Sequence, residues 1–474
     1  MVTRTIAVVA VLAGAGAGLT GCASVQPRAS FPAVQQLASE RLGKQVHWSN
    51  GADADRVVDD RIDALLAEPL DPDSAVQIAL LSNRNLQATY EELGVAHADL
   101  VQAGLLKNPM FSGDVKFFDG GTKVELSLVE DFLDLLFIPM KKSIAETALQ
   151  GAKLQVSLAV MDVASEVRTT FLALQSAEQV MELHQTVLQA SSASYELAQR
   201  IHAAGNNTTL DLNNERAMYE EAKLNLAAAE AEAIDLREHL AGLMGLWGDR
   251  ARFTVSARLA DPPAEEISPT DLEKRAVAQS LDLQLARGEI ELAAKKLGIT
   301  KPLGVLSEAE VGAAAERETD GSWGVGPSLA LPIPIFSQGQ PAVAAASARY
   351  RQAGQRHYAL AVELRSGVRA AYQHMLAGRQ RANYYRQVII PLRQQITADT
   401  QKQYNAMQVG GFQLLQTKRE EIDSAKNYIE SLREYWMARA ELELILAGRF
   451  VRSERPLFAP TMEIKRATRS GERQ

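Results

Sequence analysis

The chain has 474 residues, a formal net charge of −8, and 6% aromatic against 46% hydrophobic residues. An acidic balance without a basic face argues against nucleic-acid binding, and a single cysteine excludes an intramolecular disulfide or a cysteine cluster for metal. Beyond residue 21 no run is long and apolar enough for a transmembrane helix, so any membrane crossing has to use strands.

Residues 1–21 read as a targeting segment. Arg4 gives a short positive start, and 6–18 are apolar or small but too few to span a bilayer. The segment ends Leu19-Thr20-Gly21-Cys22, which resembles a bacterial lipobox. Cleavage would fall before Cys22, whose sulfur would carry a diacylglycerol. The plainer alternative is a free thiol near an ordinary secretory cleavage site. Several acyl chains on one residue anchor a protein stably, whereas one chain binds weakly. Ala23 follows in place of Asp, which by resemblance to lipoprotein sorting directs the chain to the outer membrane. Residues 22–70 are weakly patterned and read as an extended, lipidated lead, with one short helix over 53–66.

The body opens with Asp71-Pro72-Asp73-Ser74, a helix-start signal. That helix runs to Lys107, and Asn108-Pro109 stops it. The period then changes to two. Strands are predicted at about 110–118 and 123–132, joined by Asp119-Gly120-Gly121-Thr122. Phe111, Gly113, Val115 and Phe117 share one face of the first strand; Val124, Leu126 and Leu128 share one face of the second. Ser112, Asp114, Lys116, Lys123, Glu125 and Ser127 take the other faces. Residues 130–139 bend the chain into a helical hairpin over 140–241. Residues 152–204 contain no Gly or Pro, a rod of roughly 80 Å at 1.5 Å per residue. Gly205-Asn206-Asn207-Thr208-Thr209 supplies the turn, and Gly242 closes the return helix.

A connector follows, with Asp261-Pro262-Pro263 as its clearest break, and the plan repeats. A helix runs from Ser268-Pro269-Thr270-Asp271 to Lys301-Pro302. Strands are predicted at about 304–317 and 323–335 around Thr319-Asp320-Gly321-Ser322. A second helical hairpin spans 340–447, bent near Pro391, with Gly410-Gly411 at its turn and Gly448 at its close. Equivalent points lie 197 residues apart for Leu86 and Leu283, 205 for Gly205 and Gly410, and 206 for Gly242 and Gly448, the drift of a tandem duplication. The predicted units are therefore 71–260, 261–448 and a polar tail over 449–474. Four strands cannot close a barrel, and open sheet edges are not tolerated in lipid, so several chains would have to share one.

This order of elements, the lipobox and the turn motifs resemble the TolC family of outer-membrane efflux proteins, over about 71–448. The resemblance implies a mainly α fold with a small β part. Duplicated helical hairpins form an α-barrel, and four strands per chain enter a transmembrane β-barrel shared by a homotrimer. It implies a lipid-anchored protein of the bacterial outer membrane that extends into the periplasm. Its partners would be membrane lipid, a periplasmic adaptor and an inner-membrane pump, most commonly of the resistance-nodulation-division type. The hairpin turns form the periplasmic tip that meets the adaptor. Gly205 followed by Leu210-Asp211-Leu212 fits the family's tip motif. In the second half Gly410-Gly411 precede Leu414-Leu415-Gln416, with Gln416 where the family can carry Asp. Gln416, Lys418 and Arg419 do not supply the acidic ring that closes the tunnel in some members. The plainer reading of Asp211 is a first-turn acid favoured by the helix dipole.

No catalytic constellation is visible. The seven histidines form no pair at i, i+3 or i, i+4, which removes the simplest helical metal site. Met181 and His184 share a helix face, for which helical core or a solvated face is a simpler reading than copper. There is no phosphate-binding loop and no nucleophile elbow. The Glu and Lys residues of 213–240 read as a solvated or lumen-lining face. The expectation is an export duct, not an enzyme, with no cofactor beyond the lipid on Cys22. The alternative is the periplasmic lipoprotein adaptor of such a pump, which should show one main hairpin between β-rich domains. Cargo is left open among drugs, metal ions and other small solutes.

Overall fold

The computed structural model describes residues 24–451 apart from 52, 120, 131, 257, 307–309, 331, 332, 334 and 337. The targeting segment, Cys22 and the tail over 452–474 lie outside the described residues. A 3-10 turn (Pro27–Ser30), α1 (Phe31–Leu42) and α2 (Asp53–Leu66) come first. Helix α2 is the short helix expected over 53–66, but the rest of the lead is folded rather than extended, because Phe31, Val34, Val46, Trp48 and Ile62 are buried in the largest core cluster. Phe31 meets Trp48 edge-on at 5.5 Å and Tyr90 at 5.0 Å. The anchors come from a helix and an irregular strand-like stretch, so no single period reveals them.

Two helices replace the one expected over 71–107. In α3 (Pro72–Ser82) Asp71 accepts from the Ser74 backbone N–H. In α4 (Arg84–Ala103) Asn83 is extended and accepts from the Leu86 N–H. Residues 75–81 are all buried, since α3 is wrapped on every side.

Strands β1 (Met110–Phe118) and β2 (Gly121–Glu130) lead into α5 (Phe132–Ala203), a helix of 72 residues. Pro139 lies inside this helix, so the bend expected over 130–139 is helical instead. A proline so near a helix start removes only one intrahelical bond. The return helix is α6 (Thr209–Leu243). The connector then carries a parallel bridge between Leu70 and Val255.

The second half contains α7 (Leu272–Gln279), α8 (Leu281–Leu306), β3 (Glu310–Arg317) and β4 (Trp323–Ala330). After them come α9 (Gln340–Tyr384), a π turn (Tyr385–Ile389), α10 (Ile390–Asn405) and α11 (Gly411–Ala447). The third strand starts later than the expected 304, because α8 continues through Pro302 to Leu306. The fourth stops short of 335. Pro332 and Pro334 have no N–H for a ladder, and Ile333 and Ile335 are outside the strand. The π turn sits just before Pro391, a position where one extra residue re-registers the helix.

The two halves make the same hydrogen bonds at fixed offsets. Gly205 N–H donates to His202 O and Asn206 N–H to Ile201 O; Met407 N–H donates to Tyr404 O and Gln408 N–H to Gln403 O. Both are Schellman ends, 202 residues apart. At the top of each hairpin, Leu246 N–H donates to Ala241 O and Arg449 N–H to Leu444 O, 203 apart. Gly448 is therefore equivalent to Gly245, not Gly242. Both glycines are left-handed, with φ of 64° and 115°. Each presses on the backbone carbonyl just before the cap of α4 or α8, Ser82 O or Gln279 O, where a Cβ would sit 2.6 or 2.5 Å away.

Candidate functional site

The four strands form one antiparallel sheet in the order β1-β2-β3-β4, with β2 and β3 joining the two halves. Its register aligns Phe111 with Leu128, Gly113 with Leu126 and Val115 with Val124. It continues through Ala313 and Ala315 of β3 to Pro327 and Val325 of β4. One face is therefore apolar across the middle of all four strands, as the alternation predicts, with Arg317 opposite Val124 at the β3 end. The opposite face carries Asp114, Glu125 and Glu316 in one row, with Lys123 paired to Glu316. Phe111, Phe117, Val325 and Leu329 are 66–82% exposed. Among the described residues, β1 and β4 have no strand on their outer edges.

At the first tip Gly205 has φ 75° with open space around its Cα, so it is needed for backbone freedom and not for packing. Thr208 caps α6 and accepts from the Asp211 N–H; Asp211 accepts in return from the Thr208 N–H and hydroxyl. This capping box holds the Asp211 carboxyl below the usual range, first through the Thr208 side chain and then its backbone. Leu210 is 68% exposed, and Leu212 is half-buried.

At the second tip the left-handed residue is Met407, with φ 58°. Gly410 is the cap of α11, with an ordinary extended backbone. The constant offset makes Gly410 equivalent to Thr208 and Gln413 to Asp211. That corrects the expected alignment of Gln416, which is exposed and bonds Glu420. Gly411 begins α11, and Leu414 and Leu415 are half-buried. Reading Gly410-Gly411 as the turn missed Met407, because a left-handed methionine leaves no sequence signal.

The hairpins meet mainly along α5 and α11, and near the tips α6 also reaches α11. Arg419 holds Glu221 with two bonds, of 2.8 and 3.0 Å. Nearly two turns nearer the tip, Glu215 is only 5% exposed. Its carboxyl accepts from Ser194 Oγ at 2.9 Å and lies beside the Gly411 Cα. Burial pushes this carboxyl above its usual range, against the Ser194 bond and with Asp211 adding to it. Sequence reasoning placed Glu215 on a solvated or lumen-lining face. His184 lies near Asp423 and Lys426, with its pKa lowered first by burial. Among the described residues no three His, Cys, Asp or Glu are grouped to hold a metal.

No family model matches the chain. The cobalt-zinc-cadmium resistance protein CzcC of Cupriavidus metallidurans is 22% identical over 390 residues, covering 80% of this chain and 90% of that protein. The CmeC outer membrane channel of Campylobacter jejuni is similar in structure at a TM-score of 0.66 and 15% identity, with 89% of this chain and 93% of that one covered. The MtrE outer membrane channel of Neisseria gonorrhoeae, in its open state, gives 0.64 and 15%, with 80% and 90% covered. Over at least four fifths of its length the chain thus has the fold of the TolC-family outer-membrane channels, the family that its element order and tip motifs resemble.

Proposed function

We propose that the chain is the outer-membrane channel of a tripartite efflux system, a passive duct energised by an inner-membrane pump through a periplasmic adaptor. One observation carries the reading: among the described residues a single sheet, mainly apolar on one face and open at both edges, continues into two long helical hairpins. An open edge costs several kcal/mol per unsatisfied group in lipid, so β4 of one copy has to pair with β1 of the next. Three copies supply twelve strands around a hollow axis. The diacylglycerol on Cys22 anchors each copy to the same membrane. The tips at Gly205 and Met407 face the adaptor, with Leu210, Asp211 and Leu212 on one hairpin and Gly410 to Leu415 on the other. Opening is a shift between two tip arrangements biased by adaptor binding. The adaptor reading itself fits less well, since the chain carries two hairpins and one sheet.

The relative's name carries cobalt, zinc and cadmium, so divalent cations are the first cargo to test, with a resistance-nodulation-division pump as the first partner. The deciding experiment is the mass of the protein extracted from outer membranes, by light scattering corrected for detergent. A trimer is expected; a monomer overturns the shared barrel.

A further inference from the structure

Trp247 is the largest exposed apolar side chain at the level where the helical rods meet their surrounding short elements. It is 83% exposed, in the turn that follows α6. Beside it is α2, because Arg250 pairs with Asp59 and Asp63, and Val57 of α2 is a further 69% exposed. On the second half, Pro269 and Leu272 at the start of α7 and Val368 and Tyr372 of α9 form a mainly apolar groove of about 400 Å³. Among the described residues no side chain of the same chain fills it.

Knob and groove lie at one height. Counted along α6 from Thr209 and along α9 and α10 from Asn405, both stand roughly 50–55 Å from their own hairpin tip. They also lie on opposite flanks. With strand order β1-β2-β3-β4, a ring of copies puts the first half of one beside the second half of the next. Such a head-to-tail contact repeats until the ring closes. The groove is rimmed by charges of both signs, Asp271, Glu273, Lys274 and Arg369.

We propose that Trp247 of each copy seats in the α7–α9 groove of its neighbour. The inference rests on the proposed ring of copies and adds its contact below the membrane. A buried indole in a pocket, rimmed by charge, is the usual form of an anchor residue.

The test is cross-linking between Trp247→Cys and Gln373→Cys in the full chain, in outer membranes, with each single variant as control for Cys22. Both positions are exposed, so the substitutions leave the core intact. The contact predicts a covalent ladder ending at the trimer in the double variant alone, and at least a tenfold loss of trimer in Trp247→Ala after mild heating in detergent. If the unaltered chain is trimeric and neither effect is seen, the contact is overturned and the duct reading stands. A monomeric unaltered chain overturns both. A ladder in a single variant overturns the pairing as well.

Discussion

At the residue scale the glycines separate by what each one does. Gly245 and Gly448 are left-handed and pressed on a carbonyl, whereas Gly242 is helical with nothing within 4 Å. Gly448→Ala should therefore destabilise by about 1–3 kcal/mol, and Gly242→Ala should stabilise by roughly 0.5–1 kcal/mol. Denaturant unfolding of the two variants decides it, because the signs are opposite. Glu215 yields a pH prediction. Its folded pKa is raised above the unfolded value, so the native state holds the extra proton in the window between the two. Stability then falls as pH rises through that window. Glu215→Gln should flatten this dependence and raise stability at neutral pH; an unchanged pH profile would show the carboxyl to be solvated.

At the element scale, strands β1 and β2 were legible because their alternation is clean and ends in a Gly-rich turn. The register added what alternation alone does not show, that all four apolar faces coincide. Helix boundaries were less legible. Pro302 read as a stop and 130–139 as a bend, yet Pro139 and Pro302 both lie within helices near an end. The second tip was misaligned because Met407 occupies the position that Gly205 fills in the first. The folded lead was missed because its anchors, Phe31 and Trp48, follow no period. The seam between hairpins was unreadable too, since Glu221 and Arg419 are 198 residues apart. Their pair is 51% and 36% exposed, so a double-mutant cycle should give a coupling of about 0.2–1 kcal/mol. A coupling well above that range would show the seam to be dry.

At the scale of the whole molecule, the sheet asks which of its faces meets lipid. Leu126 is paired with Gly113 and Ala315 on the apolar face, while its neighbour Ser127 points to the opposite face beside Ser112, their hydroxyls 2.6 Å apart. If the apolar face is the outer wall of a barrel, Leu126→Arg places a guanidinium in hydrocarbon at a cost of about 2–4 kcal/mol per copy near the midplane. Three copies multiply that cost in one assembly. The same residue at 127 enters a water-filled lumen and costs little. Leu126→Arg should therefore lose the heat-resistant oligomer and its outer-membrane fraction, and Ser127→Arg should keep both. Adjacent positions, the same substitution and opposite outcomes make the comparison independent of general effects on expression. Equal loss in both variants would mean that the two faces are both packed, and the sheet would then be no membrane wall.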